Sequence, residues 1–236
     1  MSALAGRRIL ITGISRGIGL ETARLFLAEG AEVVGTARDP ARLEAARRAL
    51  DPEGRHLTVV AADLTEPSAP EVIARAARER FGALDVLFNN AGVQLDGSAR
   101  GLLDGAEAVF ERSLDVNLRA PYRLCRACVP LLLEGREPRI VNVSSGAGNF
   151  ESMRSAGIAS YRLSKWALNG LTMLLAAELA GKIAVNAFDP GWVKTDLGGP
   201  NAPGMPVESA RGALALVTLP FSETGKFWKD GNEIPF

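Results

Sequence analysis

Short apolar runs alternate with longer helical patterns along this chain, and this alternation limits the fold more than any other feature. Apolar and β-branched residues predict strands at 8–12, 32–36, 57–61, 85–88, 139–143, 183–187 and 226–229. The patterns between them predict helices at 18–29, 40–50, 70–81, 106–133, 160–179 and 208–217, with kinks at Pro121 and Pro130. Strands that are apolar on consecutive residues are typical of a parallel sheet buried on both faces. We therefore expect an α/β fold with a doubly wound parallel sheet of about seven strands and helices on both faces.

Length and charge exclude several classes of protein. A chain of 236 residues suits one domain over 1–236, in which the Gly- and Pro-rich stretch near 195–208 forms a substrate loop. Lys+Arg and Asp+Glu both number 27, so nothing favours a nucleic-acid partner. Apolar runs of spanning length and a leader pattern are both missing, so we expect no membrane partner and a cytoplasmic location.

Cys125 and Cys128 are the only cysteines and form a C-x-x-C pattern. A redox pair is one interpretation of this spacing. Apolar residues around the pair recur at helical intervals, which favours two small side chains on a buried helix face. We therefore expect neither a disulfide nor a metal site.

A glycine-rich turn follows the first predicted strand and opens the first predicted helix. Gly13, Gly17 and Gly19 permit a tight turn, close approach of the backbone to a pyrophosphate, and close packing of the helix on the strand. The helix start supplies free N–H groups for phosphate oxygens. The sequence therefore predicts a dinucleotide site, although a plain turn is the alternative.

The end of the second predicted strand indicates which dinucleotide binds. An NAD site usually carries an acidic residue there for the ribose 2′-hydroxyl. This chain has Ala37 and then Arg38, whose guanidinium suits a 2′-phosphate, and Arg16 could close on the same phosphate. We predict NADP(H), and NAD(H) stays open because Asp39 follows directly.

Tyr161 and Lys165 lie one helical turn apart at the start of the long helix predicted at 160–179. A free tyrosine has a pKa of about 10, and a neighbouring ammonium group lowers it. The pair alone is common in proteins. It becomes informative only through the other motifs of the chain.

Six motifs along nearly the whole chain resemble those of the short-chain dehydrogenase/reductase family, in the family's order and near its spacings. They are Thr12–Gly19, Asn89–Gly92, Asn117, Val141–Ser145, Tyr161–Lys165 and Asp189–Thr195. The segments 190–196 and 225–231 resemble most the NADP(H)-dependent carbonyl reductases. The resemblance implies a Rossmann-type fold and hydride transfer between a nicotinamide and a carbonyl or alcohol substrate.

The resemblance also implies roles for four catalytic residues. Tyr161 would exchange a proton with the substrate oxygen, and Lys165 would lower the Tyr161 pKa and bind the nicotinamide ribose. Ser145 would hold the substrate oxygen, with Ser144 as the alternative, and Asn117 would position a water in a proton relay behind Lys165. Hydride transfer itself is the cofactor's chemistry.

The family pattern implies a larger set of cofactor contacts. Asp63 would meet the adenine, and residues after the sixth strand would hold the carboxamide side of the nicotinamide. The complete set is Gly13, Ser15, Arg16, Gly17, Ile18, Gly19, Arg38, Asp63, Leu64, Asn90, Ala91, Gly92, Tyr161, Lys165, Pro190, Gly191, Val193 and Thr195.

One departure from the family pattern concerns the substrate pocket. Ser145 and Tyr161 are 16 residues apart (161 − 145), a few more than is usual in the family, so the segment 146–160 must bulge near the substrate. The loop at 198–206 is expected to form the other wall and to move as a lid.

The sequence leaves three functions to compare. A carbonyl reductase is the leading hypothesis, an NAD(P)⁺-dependent alcohol dehydrogenase is the second, and a non-catalytic nucleotide-binding regulator is the third. The single histidine, His56, lies far from every motif, so a Ser–His hydrolase lacks its base. Apolar faces on the two long helices predict a homodimer or homotetramer.

Overall fold

An eight-stranded sheet runs through the computed structural model, which describes residues 2–97 and 101–236. Its order is β3-β2-β1-β4-β5-β6-β7-β8, and every pairing from β3 to β7 is parallel. The strands are β1 Arg8–Thr12, β2 Glu32–Ala37, β3 Leu57–Ala61, β4 Val86–Asn89, β5 Arg139–Val143, β6 Ala184–Phe188, β7 Phe227–Lys229 and β8 Asn232–Ile234. This architecture confirms the predicted α/β Rossmann-type fold.

Helices cover both faces of the sheet. They are α1 Gly17–Ala28, α2 Pro40–Leu50, α3 Ala69–Phe81, α4 Glu107–Leu114, α5 Ala120–Leu132, α6 Ala159–Glu178 and α7 Pro206–Val217. Ile9 and Ile11 of β1 join a core with α1, α2 and α7, whereas Leu10 joins a second core with α3, α5 and α6. Successive side chains of a strand point to opposite faces, so one apolar run supplies both cores.

The long helix predicted at 106–133 is interrupted. A π-helical turn at Asp115–Arg119 separates α4 from α5, and the N–H of Ala120 donates to the carbonyl of Asp115. Pro121 explains the break, because proline has no N–H to donate to Asn117 four residues earlier. Pro130 lies inside α5, two residues before its end.

The eighth strand was missed in the sequence. β8 pairs antiparallel with β7 through a turn at Asp230 and Gly231, which have φ angles of 49° and 77°. An Asp-Gly pair with two positive φ angles is typical of a two-residue hairpin. The dipeptide was therefore an available signal.

Both cysteines are buried free thiols in α5. Burial raises the pKa of Cys125 to about 12 and also raises the pKa of Cys128. Thiols that resist ionisation are poor nucleophiles, which favours the packing interpretation over a redox pair. Among the described residues, none of the helices has the length and apolar character needed to cross a bilayer.

Asp85 joins three segments at the amino end of the sheet, just before β4. Its fully buried carboxylate accepts from the Arg8 N–H at 2.9 Å, the Arg8 guanidinium at 2.7 and 3.1 Å, and the Arg136 N–H at 2.6 Å. Burial favours protonation, but these donors outweigh it and hold the Asp85 pKa below 3.8. The ionised Asp85 therefore stabilises the folded protein at pH values above about 3.9, the pKa of an aspartate in the unfolded chain. This stabilisation is lost as the pH falls through the lower pKa that Asp85 has in the folded protein.

We expect Asp85→Asn to lower the free energy of unfolding by about 3–5 kcal/mol, because it leaves the Arg8 guanidinium without its charged partner. Urea unfolding at pH 7 measures this change. Arg48→Ala is the control, since its ion pair with Glu44 lies on the exposed side of α2. Equal, small effects of the two substitutions would contradict the assignment of Asp85 as a structural centre.

Candidate active site

A cleft of about 750 Å³ opens at the carboxyl ends of β1, β2, β4, β5 and β6. It lies where the strand order reverses between β1 and β4, which is where doubly wound folds bind their ligands. Its volume is within the usual range of about 300–1,000 Å³ for ligand sites. Every residue named above for the cofactor lines this cleft, and so does Ser145.

The glycine turn has the close approaches that a dinucleotide cradle needs. A Cβ on Gly19 would lie 2.2 Å from the carbonyl oxygen of Gly13, and one on Gly13 would lie 2.9 Å from Asn90 Nδ2. Gly17 has a φ of 59°, a region that favours glycine. Arg16, the N-cap of α1, gives no side-chain cap, so first-turn N–H groups stay free for phosphate oxygens.

Several charged side chains line the cleft near the end of β2. Arg38 is exposed at the cleft and makes no ion pair within the described residues. Asp39 instead caps α2, and its Oδ1 accepts from the N–H groups of Ala41 at 2.9 Å and Arg42 at 3.1 Å. Arg16 forms an ion pair with Asp196, on the loop after β6. Asp39, the carboxylate nearest Arg38 in sequence, therefore serves as the N-cap of α2.

Arg42 and Arg112 also line the cleft and were missed in the sequence. Arg112 donates to Thr65 Oγ1 at 2.7 Å and to Asp63 Oδ2 at 3.3 Å. Burial opposes ionisation of Asp63, but hydrogen bonds from Thr65 and the charge of Arg112 lower its pKa. Asp63 therefore faces the cleft as a carboxylate fixed by two neighbours.

Tyr161, Ser145 and Lys165 meet at the other end of the cleft. Tyr161 is 8% exposed, and its hydroxyl faces the Ser145 side chain, at the carboxyl end of β5. Lys165 Nζ donates to the carbonyl of Val143 at 2.7 Å and lies 5.8 Å from the Tyr161 ring centroid. Ser144 turns away, and its Oγ donates to the Lys165 carbonyl at 3.3 Å.

Asn117 lies behind this group in the π-helical turn and is fully buried. Its side chain exchanges hydrogen bonds of 2.8 Å with both the N–H and the carbonyl of Val93, and it donates to Ser164 Oγ at 2.9 Å. Both N–H groups of the side chain are therefore used within the protein, and its oxygen already accepts one hydrogen bond. Its own backbone carbonyl lacks an α-helical donor, because residue 121 is proline.

Burial controls the protonation of the site more than the tyrosine–lysine pairing does. It raises the pKa of Tyr161 to about 12, opposed by the Ser145 hydrogen bond and assisted by the negative charge of Asp189. Burial also lowers the pKa of Lys165 to about 8. Desolvation of the phenolate is therefore the largest influence on the Tyr161 pKa.

The long segment between Ser145 and Tyr161 folds into two short 3₁₀ helices, Gly146–Gly148 and Glu151–Arg154. Arg162 of α6 holds it by donating to the carbonyls of Gly157 and Ser152, both at 2.9 Å. The predicted bulge is thus an anchored structure. His56 lies apart from the cleft, and its Nδ1 is 2.7 Å from Glu32 Oε1.

The opposite wall is the loop after β6. Trp192 Nε1 donates to the Gly198 carbonyl at 2.7 Å, and Val193 forms an isolated bridge with Gly204. These contacts fold the loop back on itself before α7 begins at Pro206. The loop therefore closes one side of the cleft over the predicted nicotinamide region.

The family model for short chain dehydrogenases matches residues 7–205. Among curated proteins, the 3-oxoacyl-(acyl-carrier-protein) reductase FabG of Vibrio cholerae is 34% identical over 82% of this chain and 76% of its own length. The NADPH-dependent pterin aldehyde reductase of Arabidopsis thaliana is 34% identical over 83% of this chain and 78% of its own. The chain therefore belongs to the short-chain dehydrogenase/reductase family.

Solved structures agree with this assignment. The NADPH-bound carbonyl reductase from chicken fatty liver has a TM-score of 0.89 at 30% identity and covers 99% of this chain and 100% of its own. The carbonyl reductase Sniffer of D. melanogaster has a TM-score of 0.88 at 29% identity, and the match covers 98% of this chain and 100% of that protein's chain. The chain is thus an NAD(P)-dependent oxidoreductase of this family.

We expect Asp189→Asn to move the alkaline rise of alcohol oxidation to lower pH. Asp189 disfavours the Tyr161 phenolate, so removing its charge lowers the Tyr161 pKa. Asparagine keeps the oxygen that accepts from the Gly191 N–H at 3.0 Å. The pH profile of kcat/KM for oxidation measures the change.

Lys229→Met is the paired variant, because Lys229 Nζ lies 3.4 Å from Asp189 Oδ2 and partly neutralises it. This substitution should move the profile to higher pH. Shifts in the same direction for both variants would show that the Asp189 charge does not act on Tyr161.

Proposed function

We propose that this protein is a carbonyl reductase that passes a hydride from NADPH to a ketone or aldehyde. The observation that carries the proposal is Tyr161, a buried phenol that lines one end of the cleft together with Ser145. A phenol with a pKa of about 12 keeps its proton near neutral pH. Reduction needs that proton, whereas alcohol oxidation needs the phenolate.

Two hydroxyl groups would hold the substrate carbonyl oxygen. Tyr161 donates the proton that ends on this oxygen, and Ser145 donates a second hydrogen bond to it. Such donors stabilise the negative charge that develops as hydride adds to the carbon. The hydrogen bond of Ser144 to the α6 backbone supports the choice of Ser145.

Lys165 and Asn117 would serve proton supply and binding. Lys165 Nζ reaches the Val143 carbonyl at the cleft wall, where it can hold the nicotinamide ribose. A Cβ on Gly92 would lie 3.3 Å from Lys165 Nζ and 3.2 Å from Asn117 Oδ1, so the two side chains converge there. The Asn117 carbonyl, which has no α-helical donor, is the atom that would hold a relay water.

NADP(H) suits the cradle better than NAD(H). The glycine turn lines the cleft with the uncapped start of α1, which offers N–H groups to a pyrophosphate, and Arg38 offers an exposed guanidinium to a 2′-phosphate. The commitment of Asp39 to the α2 cap removes the carboxylate that could bind a ribose 2′-hydroxyl. When bound, the cofactor supplies the hydride, and the chain supplies orientation and a buried proton donor.

The domain organisation, the oligomeric state and the cellular location belong to the same proposal. We place binding and catalysis in one domain over 1–236, with the loop at 195–208 as the substrate wall. Exposed Trp166, Met173 and Leu174 on α6 support a homo-oligomer. The alternative of an alcohol dehydrogenase uses the same site in reverse, and the cytoplasmic location stays a prediction.

We expect Tyr161→Phe to lower kcat at least about 100-fold, the usual contribution of a positioned acid. NADPH oxidation with a panel of ketones, aldehydes and diketones, followed by absorbance, measures this. Tyr122→Phe is the matched control, because the only other tyrosine is exposed on α5. Activity that survives Tyr161→Phe would overturn the proposal, and tight NADPH binding without turnover on any substrate would favour a regulator.

We expect Arg38→Leu to raise KM for NADPH about 10- to 100-fold and to change KM for NADH little, because charge-assisted hydrogen bonds to a phosphate are lost. Initial rates with each cofactor measure the ratio. Arg48→Leu, on the outer side of α2, is the control. An equal effect on both cofactors would show that Arg38 does not recognise the 2′-phosphate.

A further inference from the structure

The helix that carries Tyr161 begins without a local cap. Ile158 is the N-cap of α6, and its apolar side chain makes no capping hydrogen bond. Its φ of 44° and ψ of 42° place a β-branched residue in the left-handed region, which is costly. An N-cap side chain normally accepts from the second and third N–H groups of a helix, here those of Ser160 and Tyr161.

Asp96 supplies this cap from a distant part of the chain. Its Oδ1 accepts from the Ser160 N–H at 2.9 Å, and its Oδ2 accepts from the Tyr161 N–H at 3.0 Å, across 64 and 65 residues. Asp96 is 7% exposed. A buried carboxylate at a helix N-terminus also interacts favourably with the helix dipole.

The loop that carries Asp96 is itself part of the cleft. It follows β4 and begins with Asn90, Ala91 and Gly92, which line the cleft floor. Val93 is fixed by two hydrogen bonds to Asn117. The Asp96 carboxylate therefore joins the predicted cofactor loop to the backbone of the predicted proton donor.

We propose that Asp96 is a positioning residue that fixes Tyr161 against the cofactor loop by capping α6 from outside the helix. The inference rests on the proposed function, in which Tyr161 donates the proton. Asp96 does not line the cleft and would act through the Tyr161 backbone. It sets where the Tyr161 hydroxyl lies when the hydride is transferred.

Small displacements of a reacting group slow the reaction strongly, and a misplacement of about 1 Å can lower the rate about 100-fold. We therefore expect kcat to fall about 10-fold in Asp96→Asn, which keeps one accepting oxygen, and about 100-fold in Asp96→Ala. KM for NADPH should stay within about twofold, because the glycine turn and Arg38 are untouched. The solvent deuterium isotope effect on kcat should rise, since proton transfer becomes slower relative to the other steps.

Asp51→Asn is the matched control. Asp51 is 8% exposed, and its Oδ2 also accepts from two backbone N–H groups, those of His56 at 2.7 Å and Leu57 at 2.8 Å. It lies before β3 and does not line the cleft. This substitution should lower the melting temperature about as much as Asp96→Asn and leave kcat and the isotope effect unchanged.

The experiment measures steady-state reduction, NADPH binding by fluorescence and thermal unfolding on Asp96→Asn, Asp96→Ala, Asp51→Asn and Tyr161→Phe. If Asp96→Ala does not fold, the kcat of Asp96→Asn tests the proposal. The proposal is overturned if kcat of Asp96→Asn stays within twofold of the parent, or if NADPH affinity falls in step with kcat. Activity retained in Tyr161→Phe would overturn the proposed function and this inference together. If Tyr161→Phe loses activity while the Asp96 variants keep it, only the inference is overturned.

Discussion

The parallel pairing of β4 with both β1 and β5 brings the cleft together. It places the glycine turn after β1, the loop after β4 and Ser145 after β5 at one edge of the sheet. Asn90 strengthens the junction, because its N–H donates to Thr12 Oγ1 at 3.0 Å and its Nδ2 donates to the Thr12 carbonyl at 2.7 Å. The positions of the cofactor cradle and of the proton donor therefore both depend on strand register.

Burial then decides the chemistry that this edge can perform. Burial of the two side chains raises the pKa of Tyr161 to about 12 and lowers the pKa of Lys165 to about 8. The resulting site is ready to give a proton, which suits reduction of a carbonyl. A positively charged oxidised nicotinamide would favour the phenolate, so the same residues can run the reverse reaction when that form is bound.

Local patterns in the sequence predicted much of the fold and of the site, because their signals lie within a few residues. The glycine turn, Arg38 after β2 and the Tyr161–Lys165 spacing are all of this kind. Contacts between distant segments were missed: Asp96 caps α6 across 64 residues, and Arg112 reaches Asp63 across 49. The effect of burial, which raises the pKa of Tyr161 and lowers that of Lys165, was missed as well.

The protonation state of Tyr161 is the central claim, and the chain allows a direct test because it has only two tyrosines. In Tyr122→Phe, ultraviolet difference titration reports on Tyr161 alone. An ordinary tyrosine has a pKa of about 10. We predict that without added cofactor no Tyr161 phenolate forms below about that pH, and that adding NADP⁺ lowers the pH at which the phenolate appears. A phenolate that appears near neutral pH without cofactor would contradict the account.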